Sequence, residues 1–404
     1  MIAARPESFA RRPTQLTGRF YGLIYGTARL EAVLKPFRQA LLSIFLLASA
    51  SASALQFRPA VNYAVGPSNP RAAAVADFNQ DGIPDLAVVS TNGTQSVSIL
   101  LGNGGGTFQT AVNYDAGGPS QPIAIGDFNN DGKLDLAVGN LAGTVSILLG
   151  NGDGSFQPPL SYPVGACSCA LVAADFNHDG NLDLAIADST DNKVDVLLGK
   201  GDGTFGGPEG YPTPAIPLGL ALGDFNDDGN VDLAVTSAAA QGIVAVFIGN
   251  ENGTFAVGDR YLVGREPISV AVGDLNADGK LDLAVTVRDL TPGRVDVLLG
   301  NGDGTFAPTA RWYAGASGTI CVALADFNGN GKLDFAVVDQ VLNGIVIRRG
   351  NGKGGVRPGH LFYPTGIGAD FVVVADLNGD GAPDLVVTNN TSDTVSVLLN
   401  EGRP

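Results

Sequence analysis

A nine-residue pattern recurs seven times along this 404-residue chain, and its period limits the possible folds more than any other feature. It reads DFNQDGIPD from Asp77, DFNNDGKLD from Asp127, DFNHDGNLD from Asp175, DFNDDGNVD from Asp224, DLNADGKLD from Asp274, DFNGNGKLD from Asp326 and DLNGDGAPD from Asp376. Successive first aspartates stand 50, 48, 49, 50, 52 and 50 residues apart. A period of this size marks a closed or stacked repeat architecture, in which one unit cannot bury its apolar surface alone. The flanks AAAVA and LAVV around the first copy are short, apolar and partly β-branched, so each nonapeptide is expected to join two strands.

Oxygen-bearing side chains at positions 1, 3, 5 and 9, with glycine at position 6, suit a loop wrapped around a hard cation such as calcium. Three carboxylates within nine residues repel one another unless a cation sits between them, which disfavours an ion-free Asx turn. The opening is like that of an EF-hand loop, but the closing acid comes at position 9 between strands, not at position 12 between helices. Charge supports the same reading. Residues 1–54 carry seven Lys/Arg against two Glu, leaving the rest with 17 basic and 38 acidic side chains, a net of −21. Twenty of those acids stand at loop positions 1, 5 and 9, and seven Ca²⁺ would bring the balance to −7. So acidic a surface argues against nucleic acid and anionic membranes as partners.

The chain resembles a run of FG-GAP (VCBS) repeats, the family that includes the seven-bladed propeller of integrin α subunits, from Phe57 to Asn400. The resemblance implies an all-β fold: a seven-bladed β-propeller of four-stranded antiparallel blades, with calcium in the hairpin loop joining the first two strands of each. It further implies ligation by the side chains at 1, 3, 5 and 9 and the backbone carbonyl at 7. The first site is then Asp77, Asn79, Asp81 and Asp85 with the Ile83 carbonyl, and the second Asp127, Asn129, Asp131 and Asp135 with Lys133. Asp175, Asn177, Asp179 and Asp183 with Asn181 form the third, and Asp224, Asn226, Asp228 and Asp232 with Asn230 the fourth. Asp274, Asn276, Asp278 and Asp282 with Lys280 form the fifth, and Asp376, Asn378, Asp380 and Asp384 with Ala382 the seventh. The sixth, Asp326, Asn328, Asn330 and Asp334 with Lys332, has one charge fewer and is expected to bind most weakly. Up to seven such ions are structural, since a closed cage leaves no position for substrate.

Each unit has four apolar runs. We label A the strand entering the nonapeptide, B the strand leaving it, C the VSILL-type strand and D the Phe-initiated strand. Strand A alternates small and larger residues, as in Ala74-Val75-Ala76 and Ala124-Ile125-Gly126, which suits a crowded axis with a neighbouring blade on each face. Loop position 2 is always Phe or Leu, as is the residue after position 9, and both are expected to plug the gaps between blades. The chain opens with a D-type run, Phe57–Tyr63, and closes with a C-type run, Val395–Leu399. Phe57–Tyr63 is therefore expected to be the outer strand of the last blade, closing the ring and removing a free edge. The turns GNGDG at 150–154 and 300–304 and GKGDG at 199–203 read as hairpin turns with glycine and asparagine at positive φ.

Residues 1–54 stand outside the repeat. A basic segment with Arg5, Arg11, Arg12, Arg19, Arg29, Lys35 and Arg38 precedes ALLSIFLLASASASA (40–54), too short to span a bilayer and ending in three small-x-small sites. This reads as a signal peptide, leaving residues 55–404 as a secreted, cell-surface or periplasmic chain with no membrane span. Cys167, Cys169 and Cys321 are an odd count without zinc spacing and read as small core residues. His178 occupies free position 4 of its loop and is expected to be solvated; neither it nor His360 belongs to a recognisable catalytic arrangement. The blade 6 unit, with Arg348, Arg349 and Val356 in place of the usual apolar and Phe residues, reads as a degenerate copy. The B–C and D–A loops share one face and vary, as in 90–95, 187–192, 263–267 and 287–294, so an extracellular protein or glycan is expected to bind there. Arg265, Arg288, Arg294 and Trp312 are candidates for that contact. The expectation is a binding or adhesion module, not an enzyme; a polysaccharide lyase-like enzyme and a passive surface scaffold are the alternatives.

Overall fold

The computed structural model describes residues 55–401 apart from 67, 94, 166–167, 239–240, 289–292 and 314–317. The 1–54 leader, Cys167 and the tip of the 287–294 loop lie outside the described residues. The strands form seven four-stranded antiparallel sheets, the blades of a β-propeller, and no helix occurs among the described residues. Blade 2 shows the plan: A is Ser120–Gly126, B Asp135–Asn140, C Thr144–Leu148 and D Leu160–Pro163, hydrogen-bonded in that order. Blade 1 adds a short ribbon, Gly102–Gly104 with Thr107–Phe108, at its C–D turn.

The last blade draws on both ends of the chain, as expected. Ala369–Ala375, Asp384–Asn389 and Thr394–Leu398 supply A, B and C, and Val61–Ala64 pairs antiparallel as D, in the register Val61↔Val397 to Ala64↔Thr394. Phe57 bridges Asn400 just beyond.

Seven apolar clusters fill the seven seams between neighbouring blades. The small residues of one A strand meet the larger residue of the next: Ala76 of blade 1 packs in the same cluster as Ile125 of blade 2. Loop position 2 plugs the seam ahead and the residue after position 9 the seam behind, Phe78 lying in the blade 1–2 cluster and Leu86 in the blade 7–1 cluster. An aromatic triad recurs. The Phe opening strand D of one blade meets, edge to face, the position-2 Phe and the D-strand Tyr of the blade before it. Phe156 does so with Phe78 at 5.7 Å and Tyr114 at 5.6 Å, and Phe205, Phe255 and Phe306 repeat it. Such pairs add about 0.5–1.5 kcal/mol beyond the area they bury, so the seams are specified as well as filled.

Candidate metal loops and the opposite face

Every nonapeptide adopts one backbone course. Position 4 takes a left-handed conformation whatever its side chain, from Asn130 at φ 56° to Ala277 at 62° and Gly379 at 76°, and the position-6 glycines sit near φ 80°. A Cβ on Gly82 would touch nothing, so glycine is required there by the torsion, not by space. In loop 1 both oxygens of Asp77 accept backbone N–H groups, from Asp81 (3.1 Å) and Gly82 (2.7 Å). Asn79 also accepts from the Asp81 N–H, and Asp81 accepts from the Ile83 N–H and the Asn79 amide. Loops 3, 4, 5 and 7 repeat this set.

The position-9 aspartate is a buried hub. Asp85 has no exposed surface; one oxygen accepts from the N–H of position 2 (Phe78, 2.9 Å) and the other from the N–H of the glycine ending strand C (Gly102, 2.7 Å). Asp135, Asp183, Asp232 and Asp282 do the same, tying the A–B loop to the C–D turn. Burial raises these carboxyls, the two N–H bonds oppose it, and the charges at positions 5 and 1 add to the rise. Asp85 and Asp282 lie above the usual 3.8, and Asp135, Asp183, Asp232 and Asp384 are pushed up to about 6.

Loop 6 is wired differently. Asn330 has no carboxylate to offer; its amide donates to Asn328, whose own amide donates to Asp334. Two oxygens that other loops keep for N–H groups or an ion are therefore occupied by amides.

The residue types fit a hard divalent cation: three mutually repelling carboxylates and an amide in six loops, and two of each in loop 6. Among the described residues, no three Asp, Glu, His or Cys side chains converge as a ligand cluster, and the oxygens at positions 1 and 5 accept from the loop's own N–H groups. A carboxylate has about four acceptor sites, so each retains lone pairs beyond these bonds.

Loops 1, 2 and 3 are each linked to the next loop through position 4. Gln80 donates to the Gly132 carbonyl (2.9 Å), Asn130 to the Asn181 side chain (2.8 Å), and His178 Nε2 lies 3.0 Å from Asn230 Oδ1. His178 is thus exposed but bound to the next loop, which a single repeat does not reveal. The C–D turns are Asx and glycine turns, with Asp153, Asp202 and Asp303 accepting from the N–H and hydroxyl two residues on. They also dock on the preceding A–B loop, Gly154 N–H donating to the Phe78 carbonyl and Gly203 N–H to Phe128.

On the opposite face, Arg265 is exposed and Arg288 pairs with Glu266 at 3.0 Å. Arg294 is engaged with Asp296 at 2.9 Å. Trp312 is not on that face's surface: it is buried in the blade 5–6 seam, edge-on to Phe335 at 5.0 Å. It fills the place that Tyr takes in the aromatic triads, which its position at the end of a variable strand concealed. A cavity of about 580 Å³ opens beside blade 1, lined by Gly66, Ser68, Asn92, Gly93, Gln95, Asn113 and Asp115. Cys321 is buried, and burial pushes its thiol up to about 11.

Seven blades closed by the chain's own ends, each with one acidic A–B loop, define a repeat β-propeller. The chain belongs to the FG-GAP-like repeat family, which matches residues 77–138, 127–186, 175–235, 224–285, 274–337 and 326–387. Propellers of this family generally serve as binding modules and are typical of extracellular proteins. No curated protein matches the chain. Among solved structures, the fold is similar to BBS1N in complex with ARL6DN, soaked with lead (12% identity, 85% of this chain and 96% of that one, TM-score 0.56). It is also similar to selenomethionine-substituted virginiamycin B lyase from Staphylococcus aureus (12% identity, 85% and 99%, TM-score 0.55). At such identity the likeness is one of fold alone.

Proposed function

We propose that the chain is an exported, calcium-stabilised propeller that binds an extracellular protein or glycan through its B–C and D–A loops. The observation that carries it is the contrast between the two faces. One is fixed by six near-identical hydrogen-bonded loops and one variant, loop 6; the other varies in length and sequence over the same frame, where binding usually resides. The cavity beside blade 1 supports a hydroxyl-rich ligand, since Ser68, Asn92, Gln95, Asn113 and Asp115 offer donors and acceptors together. Export is supported by the leader's composition, a basic segment followed by a short apolar run that ends in small residues. No helix among the described residues is long and apolar enough to cross a membrane.

Calcium would be held by the side chains at positions 1, 3, 5 and 9 and the carbonyl at 7, and would supply the positive charge that the three carboxylates of a loop lack. At millimolar Ca²⁺ and dissociation constants of about 10⁻⁴ M, each ion contributes about 1–1.5 kcal/mol. Six or seven together amount to roughly a 10 °C rise in Tm for a domain of this size. The test is metal analysis and thermal melting of the purified protein before and after EGTA. Metal content near zero, or an unaltered melting curve, would refute the calcium reading. A glycan array and a pull-down from surface extracts, each with Ca²⁺ and with chelator, test the binding reading. Degradation of a polysaccharide without stable binding would replace it with an enzyme.

A further inference from the structure

Blade 6 departs from the repeat at several places, and those departures that change charge all do so in the same direction. Asn330 stands where six loops have Asp; Arg348 where the other blades have Leu or Phe; Arg349 where they have Leu or Ile. Lys353 takes the turn position of Asp153, Asp202 and Asp303, and Arg357 that of Gln109, Gln157, Gly206, Ala256 and Ala307, a position that is basic elsewhere only at Arg58 of blade 7. With Lys332, blade 6 carries five basic residues against Asp326, Asp334 and Asp339, whereas acids outnumber bases in each of the other six blades.

The structure gathers these cations at one C–D hairpin. Arg357 N–H donates to the Arg349 carbonyl at 2.8 Å, so the two are neighbours across the ribbon, and Lys332 Nζ is tied to the Asn351 carbonyl of the turn at 3.2 Å. Arg349, Lys353 and Arg357 are exposed. Among the described residues none of Arg348, Arg349, Lys353 and Arg357 has a carboxylate within 4.0 Å, in contrast to Arg58, Arg71, Arg288 and Arg294. The seam beneath is rebuilt to suit. Val356 replaces the triad's Phe, Trp312 its Tyr, and the Arg348 guanidinium lies over the Trp312 ring at 5.4 Å, in a place that is core elsewhere. Cation–π stacking holds that charge at the seam without an acid to neutralise it. Leu55 takes the place of the turn glycine in the next seam, and Arg349 stands in solvent.

We propose that the blade 6 C–D hairpin is a second binding surface, separate from the B–C and D–A face, and that it takes an acidic polysaccharide bearing uronate carboxylates. Arginine forks pair bidentately with carboxylates, and the unpaired cations along one ribbon present several such contacts to a chain with one charge per ring. Nucleic acid fits poorly. Its phosphates are dense, about one per 1.7 Å of duplex, and would meet the acidic loops of blades 5 and 7 on either side, beyond the roughly 8 Å over which the patch acts at physiological salt. A second copy of this chain fits no better, because its acids are largely loop residues already engaged with their own backbone N–H groups.

The experiment is calorimetric titration of the purified protein with polygalacturonate in Ca²⁺-containing buffer, against neutral dextran of equal length. The expected result is salt-sensitive binding of polygalacturonate alone, weakened at least about tenfold by R349E/R357E. K200E, on the exposed C–D turn of blade 3, should change nothing, which separates the blade 6 hairpin from a general effect of charge. K353E, at the exposed turn tip, provides the same readout if the double variant does not fold. Unchanged affinity in R349E/R357E and K353E, equal binding of dextran, tighter binding of duplex DNA, or salt-sensitive self-association abolished by these variants would each overturn the proposal.

Discussion

Blade 2 and blade 7 carry the same contacts, but one is continuous and the other is assembled from residues more than 300 apart. In blade 2, Gly150 bridges Phe156, Asn151 N–H donates to the Ser155 carbonyl (2.9 Å) and Gln157 N–H to Leu149 (2.8 Å). In blade 7, Asn400 bridges Phe57, Glu401 N–H donates to Gln56 (2.8 Å) and Arg58 N–H to Leu399 (2.8 Å). The Asp135 hub on Gly150 N–H is matched by Asp384 on Asn400 N–H, both at 2.7 Å. Even the docking of the turn onto the preceding loop is copied. Where Gly154 N–H reaches the Phe78 carbonyl, the Asn400 side-chain amide reaches Phe327 at 2.9 Å. Ring closure therefore needs the ladder and the seam plug, not a covalent turn.

The largest effect is expected from breaking that equivalence outright. Removing residues 55–64 takes out buried Leu55 and Phe57 and the whole outer strand, leaving Thr394–Leu398 as a bare edge. The loss should be at least about 5 kcal/mol, lowering Tm by about 7 °C or more in a domain of this size, with aggregation through the exposed edge. A circular permutant sharpens the comparison. Glu401 and Leu55 correspond to Asn151 and Gly154, so two residues join them in the turn's register. A chain so joined and opened between Gly152 and Asp153 should melt within about 3 °C of the original. A collapse in the permutant would show that the turn matters beyond its ladder.

Side-chain substitutions at the same point should differ in size. A Cβ on Gly150 would lie 2.2 Å from the Leu134 carbonyl oxygen, and the turn on its other side leaves it no room to shift. Gly150→Asn, which makes blade 2 resemble blade 7, should cost about 1–3 kcal/mol by chemical denaturation. Asn400→Gly, the reverse exchange, keeps the N–H on Asp384 but strips the amide from the buried Phe327 carbonyl, and should cost about 1 kcal/mol. Equal costs in the two directions would mean that the tight approach at Gly150 is not a constraint.

Much of this was legible in the sequence, because a period of 50 residues copies each feature seven times. Strand order, the alternation along strand A and the closing role of Phe57–Tyr63 follow from counting runs. Some contacts between and across copies were not. Asp85 looks like one more loop carboxylate, and only the fold shows that it is buried and spans from Phe78 to Gly102. His178 looks solvated until Asn230 of the next loop is placed beside it. Trp312 looks like a surface aromatic because the seam it fills is made by the partner residues Leu275, Phe335 and Val356, distant in sequence.

The smallest effect concerns position 4, where blade 7 already has Gly379 and blade 2 has Asn130 reaching Asn181. Ala277 shares the left-handed φ, at 62°, without a side chain able to bond the next loop or its own backbone. An alanine held there bears a strain of about 1 kcal/mol that glycine does not. Against this, glycine's greater freedom in the unfolded chain costs about 0.4–1 kcal/mol. Ala277→Gly should therefore be neutral to stabilising by about 0.5 kcal/mol, whereas Asn130→Gly, which also loses the inter-loop bond, should be neutral to destabilising by a similar amount. Denaturant midpoints for the pair decide it: if Ala277→Gly is the more damaging of the two, the left-handed strain is not what distinguishes these loops.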